Sequence, residues 1–240
     1  MPTTKGVFFD LGGTLFNYPG KGAGGAVRHV VSALGLEEEP ENIRAAWLSA
    51  MRKTNTQFAA QPYFLHKDLF RETLLRFLEH FDKMPPDGLL ESFHQAQLQG
   101  IFDHMPIREE THAALSRLKD MGLYVAIVSN IDDDTLLPLI EQHDLAQYLD
   151  SAISSEQAQS CKPHSGIFEF ALAQANLSAA EVLFVGDSLH HDIAGADAIG
   201  MRHAHIINEG IPTPLTDGLA VTAKPTFEIR NLLELIPLIE

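Results

Sequence analysis

The sequence predicts an α/β protein in which a parallel sheet covered by helices is interrupted once by an all-helical insertion. Apolar runs of strand-forming residues each end in a polar cluster: Val7-Phe8-Phe9 in Asp10, 123–128 in Ser129-Asn130, and 182–185 in Gly186-Asp187-Ser188. Buried parallel strands read as such continuous runs, and their ligands bind beyond the carboxyl ends. Helical patterns separate the later runs, which is the strand–helix alternation of a parallel sheet. Between Leu15 and Leu123 the strand signal vanishes, and only helical patterns fill the gap.

Taken in order, the first strand delivers Asp10 onto a turn that Gly12 and Gly13 permit, so the carboxylate is held rigidly while neighbouring backbone N–H groups stay open. Gly20-Lys21-Gly22-Ala23-Gly24-Gly25 spells GxGxxG. A dinucleotide fingerprint must follow its strand directly, and this one lies too far from Asp10, so a hinge is the better reading. Helices are expected over 26–34, 41–58, 67–81 and 88–102, with Leu69, Phe70, Leu74, Phe77, Leu78 and Phe81 forming one apolar face. Pro40, Pro62, Pro85-Pro86 and Pro106 punctuate them. An insertion of roughly 90 residues is too long for a loop and long enough for a small bundle. A helix over 109–120 returns the chain to the sheet. Asp132-Asp133-Asp134 reads as a helix start, where anions are favoured. Strands over 151–153 and 203–207 and a helix over 167–175 follow. A last helix is expected over 228–236, stopped by Pro237.

Composition bounds the function. The chain has 240 residues, 45% hydrophobic, enough for a large core and ordinary for a globular enzyme. Its net charge of −15 argues against nucleic acid, which requires a basic footprint. The same charge means that an anionic ligand is drawn only by local positive groups. No apolar run approaches a membrane span, and the opening residues lack the charged start and apolar core of a signal peptide. The single cysteine, Cys161, excludes an internal disulfide and fits a reducing compartment. A cytoplasmic protein without membrane or nucleic-acid partners is expected; the oligomeric state is not readable. Cys161 beside Lys162 reads as a small space-filler, and His190-His191, adjacent on a helix, point in different directions and read as solvated or as lying behind the residues that touch a metal.

The polar clusters DLGGTL at 10–15, SN at 129–130, CKP at 161–163 and GDSLHHD at 186–192 stand in the order found in the haloacid dehalogenase (HAD) superfamily. From Val7 to about Met201 the chain resembles its members. The resemblance implies a Rossmann-like α/β core over 1–16 and 104–240, with a helical cap domain over 17–103. It implies a phosphatase of small phosphorylated metabolites, in which Asp10 is the nucleophile that accepts the phosphoryl group, assisted by Mg²⁺. The carboxylates of Asp10 and Asp187 and the main-chain carbonyl of Gly12 would hold the metal, with Asp192 orienting a metal-bound water. A phosphoryl group in transit spreads negative charge over its oxygens, so catalysis is mainly positioning and charge stabilisation. Ser129 Oγ, the Asn130 region and Lys162 would hold those oxygens, with Lys162 also pairing Asp10 or Asp187; Thr14, counted in the same phosphate-binding set, would bond back to the Asp10 loop, a structural as much as a catalytic role.

One position departs from the pattern. Most phosphatases of the superfamily carry a second aspartate two residues after the nucleophile, where this chain has Gly12. That residue protonates the leaving alcohol and then activates water, assistance of ~10²–10⁴-fold that glycine cannot give. Arg28, His29, His66 and Asp68 in the insertion are candidates to replace it, or the substrate is an acyl phosphate that needs no acid. Two rival readings stay open: a 2-haloacid dehalogenase, whose halide leaves unaided and which uses no metal, and a regulatory protein that binds a phosphorylated ligand with little catalysis. The metal-type pair Asp187 and Asp192 favours the phosphatase.

Overall fold

The computed structural model describes residues 3–18, 24–209 and 223–239. After a first strand, β1 (Gly6–Phe9), the chain enters a compact unit over Pro19–Met105. Its described elements are α1 (Gly25–Leu34), α2 (Pro40–Phe58), α3 (His66–His80) and α4 (Leu89–His104). Their apolar stripes meet in a core of Val30, Leu74, Phe77, Leu78, Leu89 and Phe93, with Ala46 and Ala50 of α2 admitting close approach. Trp47 packs edge-on against Phe77 and Phe93, with ring centroids 5.7 and 5.8 Å away. Pro40 opens α2 at a position where its missing N–H breaks no helical bond. The expected helices of the insertion are therefore present. Residues 20–23 of the glycine-rich hexapeptide lie outside the described residues; Gly24 precedes α1 and Gly25 opens it.

The second unit comprises Met1–Tyr18 and Pro106–Glu240. From α5 (Thr111–Asp120) the chain runs through β2 (Tyr124–Ser129), α6 (Asp133–Gln142), β3 (Ser151–Ser154), α7 (Ser155–Ala158) and α8 (Ser165–Ala175). It continues through β4 (Val182–Gly186), a π-helical turn (Leu189–Ile193), α9 (Ala194–Ala198), β5 (Arg202–Ile206), β6 (Phe227–Ile229) and α10 (Ile236–Ile239). Among the described residues six strands form one sheet in the order β3-β2-β1-β4-β5-β6, and every pairing is parallel. This is the Rossmann-like α/β architecture the sequence predicts. One face of the sheet buries Phe8, Ala126, Val128, Val182 and Phe184 against Ile167, Phe168 and Ala171 of α8 and Ala196 of α9. The chain passes from β1 to β2 on one side and later from β4 to β5 on the other. The sheet therefore reverses direction between β1 and β4, where doubly wound folds open a ligand crevice. Phe16 bridges antiparallel to Ile107, and the Asn17 N–H donates to the Pro106 carbonyl at 2.9 Å, so the segments entering and leaving the insertion run side by side.

The end of the chain corrects the sequence reading. No helix spans 228–236. Phe227–Ile229 is instead an edge strand in register with β5, and a 3₁₀ turn, Leu232–Leu235, leads into α10. The buried residues Ile229, Leu232 and Leu235 are spaced like a helix face, which misled the pattern, but the first of them belongs to a strand. Pro237 does not stop a helix; it lies in the first turn of α10.

Candidate active site

Asp10 sits one residue beyond β1, and its N–H still donates to Val185 of β4 at 2.9 Å. The chain then folds tightly on the Leu11 carbonyl, which accepts from the N–H groups of Thr14, Leu15 and Phe16. Gly13 makes the turn possible. Its φ is +77°, and a Cβ there would stand 2.6 Å from Asp187 Cγ and 2.7 Å from Tyr18 Cε2. Gly13→Ala is therefore expected to lower stability by about 1–3 kcal/mol through a strained backbone, and to displace Asp187; urea denaturation and an activity assay measure the two effects.

Four side chains converge on the Asp10 carboxyl or its neighbours. Ser129, the last residue of β2, donates its hydroxyl to Asp10 Oδ1 at 2.9 Å, and Thr14 reaches Oδ2 at 3.4 Å. Lys162 Nζ lies 2.6 Å from Asp10 Oδ1 and 2.6 Å from Asp192 Oδ1, with its side chain 1% exposed. It also stands 5.3 Å above the centre of the Phe184 ring. Its direct carboxylate partners are thus Asp10, one alternative of the sequence reading, and Asp192, which that reading did not name; its charge also acts on Asp187, the other alternative. Asn130 faces the lysine's main chain: its Nδ2 donates to the Lys162 carbonyl at 2.9 Å, and its Oδ1 accepts from the Lys162 N–H at 2.7 Å. The Asn130 side chain thus clasps the Lys162 main chain.

Asp187 follows the end of β4, so the carboxylates of Asp10 and Asp187 stand beyond neighbouring strands. Asp192 returns to the same place through the π-helical turn. Ser188 caps that turn by accepting from the His191 N–H, and the wide turn closes with Ile193 N–H donating to the Ser188 carbonyl at 3.1 Å. The Asp192 carboxylate accepts from the Ser188 N–H at 2.9 Å and presses onto Gly186, where any side chain would collide with it. His190 and His191 form this turn, with their rings packed edge to face. Cys161 is buried next to the lysine.

The electrostatics follow from crowding. Oxygens of Asp10, Asp187 and Asp192, all buried, lie within 4.8 Å of one another. Burial, reinforced by the charges of Asp10 and Asp192, pushes the Asp187 carboxyl up to about 8. Burial likewise pushes Asp192 to about 6, although Lys162 opposes it. Burial alone would lower the Lys162 ammonium, but Asp10 and Asp192 together overcome it and hold it above its ordinary value. Three hard oxygen donors, two of them held by one ammonium, form a group suited to a hard divalent cation with water in its remaining positions.

Three polar residues at this site carry no signal in the sequence. Tyr18 donates its hydroxyl to Asp187 Oδ2 at 2.9 Å. Asn208, two residues past β5, donates its amide to the Gly13 carbonyl at 2.8 Å and to Asp187 Oδ2 at 3.3 Å. Arg108 donates to the Gly13 carbonyl at 2.6 Å and to the Asn208 side-chain oxygen. The remaining candidates, Arg28, His29, His66 and Asp68, belong to the helical unit; His29 there pairs with Ser92 at 3.0 Å.

A family model for haloacid dehalogenase-like hydrolases matches residues 4–200. The chain belongs to that family. Among the relatives of this HAD hydrolase, the ribulose-1,5-bisphosphate 5-phosphatase of Halopiger xanaduensis is 27% identical, over 82% of each chain. The (S)-2-haloacid dehalogenase H-109 of Pseudomonas putida is 26% identical, over 98% of this chain and 97% of its own. Among solved structures, the Bacillus subtilis HAD-hydrolase YfnB bound to magnesium superposes with a TM-score of 0.75 over 99% of both chains, at 18% identity, a likeness of fold. The phosphatase and the dehalogenase stand at nearly equal identity, so the choice between the two chemistries falls to the residues of the site.

Proposed function

We propose that this HAD hydrolase is a Mg²⁺-dependent phosphatase acting on a small phosphorylated metabolite through an aspartyl-phosphate on Asp10. The observation that carries the reading is the surplus of buried carboxylate. Displacing a halide takes one carboxylate nucleophile and no metal, whereas Asp10, Asp187 and Asp192 crowd together with a single lysine between two of them. Such a cluster calls for a cation. Held by Asp10, Asp187 and Asp192 beside the Gly12 carbonyl, Mg²⁺ would supply charge neutralisation between the anionic nucleophile and the anionic phosphate.

The chain's own residues do the rest. An Asp10 carboxylate oxygen attacks phosphorus while the bond to the leaving oxygen breaks and that oxygen keeps the electron pair. Water then attacks the phosphorus of the aspartyl-phosphate, releasing inorganic phosphate and restoring the carboxylate. Lys162 holds Asp10 in place and balances part of the charge, Asn130 fixes Lys162, and the Ser129 hydroxyl turns from Asp10 to a phosphoryl oxygen as substrate binds.

Gly12 provides no acid for the leaving oxygen. With Mg²⁺ the protein should hydrolyse p-nitrophenyl phosphate, whose aryl oxide leaves unaided, and chelation with EDTA should stop it. Aspartyl-phosphate formation, followed as a burst in rapid-mix kinetics, should quicken steeply as the leaving group becomes more acidic. In Gly12→Asp the slope should flatten, by up to ~10²–10⁴-fold in the rate for poor leaving groups. Halide release from a 2-haloacid without metal, together with no phosphate release, would assign the protein to the dehalogenases instead. Mg²⁺ and phosphate binding without turnover would mark a regulatory phospho-ligand binder.

A further inference from the structure

We propose that Tyr18 and Asn208 are positioning residues that fix the Asp187 carboxylate for a divalent cation; the inference rests on the metal-dependent reading of the site. Two donors from distant segments meet on one oxygen. The Tyr18 hydroxyl lies 2.9 Å from Asp187 Oδ2, and the Asn208 amide lies 3.3 Å from the same atom. Neither contact is incidental to local chain geometry, since Tyr18 follows the β1 loop and Asn208 follows β5, whereas Asp187 follows β4.

The Asn208 amide also grips the loop that carries the nucleophile. Its nitrogen donates to the Gly13 carbonyl at 2.8 Å, and the Arg108 guanidinium donates to that same carbonyl at 2.6 Å and to the Asn208 side-chain oxygen. Asn208, the Gly13 carbonyl and Arg108 thus close a ring of hydrogen bonds, and Asp187 hangs from its Asn208 corner, with Tyr18 on the same Asp187 oxygen. His205, on β5, adds a contact of 3.0 Å to the Asp187 main-chain oxygen. Left to itself, a carboxylate side chain samples several rotamers. Donors on Oδ2 oppose that sampling, and because Asn208 holds both Asp187 and Gly13, they keep the spacing between the Asp187 carboxylate and the Asp10 loop. A carboxylate that ligates a metal generally needs such partners, and their removal weakens metal affinity by ~10–100-fold.

Tyr18→Phe keeps the ring against Gly13 and deletes only the donor; Asn208→Ser removes the amide while keeping a small polar group. The full-length protein and each variant would be titrated with Mg²⁺ alone by calorimetry, and with p-nitrophenyl phosphate at varied Mg²⁺. Each variant is expected to bind Mg²⁺ at least about tenfold more weakly. The Mg²⁺ concentration for half-maximal activity should rise in step, while kcat at saturating Mg²⁺ falls much less. Melting temperatures without Mg²⁺ report whether a variant is folded, and only folded variants are compared. Asp187→Asn serves as the reference and should abolish the binding. Unchanged Mg²⁺ affinity in both folded variants, with binding lost in Asp187→Asn, overturns the positioning role and leaves the metal-dependent reading intact. A native protein that takes up no Mg²⁺ overturns both together.

Discussion

Asp10→Asn is expected to abolish turnover, by about 10⁴-fold or more, because the amide cannot form the covalent intermediate. The fold should survive. Asn keeps an oxygen able to accept from Ser129 Oγ and Lys162 Nζ, now 2.9 and 2.6 Å from the carboxylate. It also removes one of the charges whose crowding raises the Asp187 and Asp192 carboxyls, so the metal-free variant should melt at the native temperature or above it. Circular dichroism melts beside a phosphate-release assay measure both. Activity near the native level would remove Asp10 from the role of nucleophile, and the phosphatase mechanism with it.

Lys162→Met is expected to have the largest effect on stability. The ammonium is enclosed, with its side chain 1% exposed, and is the direct partner of two buried carboxylates. Removing it leaves Asp10, Asp187 and Asp192 facing one another without that counter-charge. Breaking a buried ion pair from one side costs about 3–5 kcal/mol. For a protein of this size that corresponds to roughly 6–20 °C in Tm. Saturating Mg²⁺ should recover part of the loss, since a divalent cation relieves the same repulsion, while activity stays low because Asp10 has lost its anchor. Asp192→Asn is the contrasting variant: it leaves Lys162 paired with Asp10, and its loss of stability should be the smaller. Equal melting temperatures for Lys162→Met and the native protein would show that the lysine carries no structural charge balance.

Asp10 and Asp187 were legible because each follows an apolar run, directly or through a glycine, and Asp192 from its place five residues past Asp187. Asp10 and Asp187 end strands whose residues are fully buried, and a parallel sheet brings such ends together whatever lies between them in the chain. Lys162 was legible from its place between two such runs, although its carboxylate partner Asp192 could not be chosen over Asp187 without the π-helical turn that swings Asp192 inward. The clasp of the Asn130 side chain on Lys162 was not legible, because a strand-end amide serves a ligand or a neighbouring backbone equally well. Tyr18, Arg108 and Asn208 left no trace: single polar residues in connecting segments have neither periodicity nor spacing, and only the three-dimensional closure of the loops gives them partners. The edge strand β6 was lost for another reason. Three residues are too few to establish an alternation, and the spacing of Ile229, Leu232 and Leu235 favoured the longer period.

The paired segments at Phe16–Ile107 and Asn17–Pro106 have a bearing on how this chain folds and how it changes through evolution. β1 and β2 are neighbours in the sheet, yet the helical unit comes between them in sequence. Loop-closure entropy grows only with the logarithm of length, about 0.6 kcal/mol for each doubling, so even an unstructured insertion of this size would tax the pairing modestly. A unit with its own core, whose two ends leave the sheet side by side, presents itself to β1 and β2 as little more than a short turn. Selection can therefore rebuild or exchange the helices without disturbing strand register, while the sheet goes on delivering the same carboxylates to the same crevice.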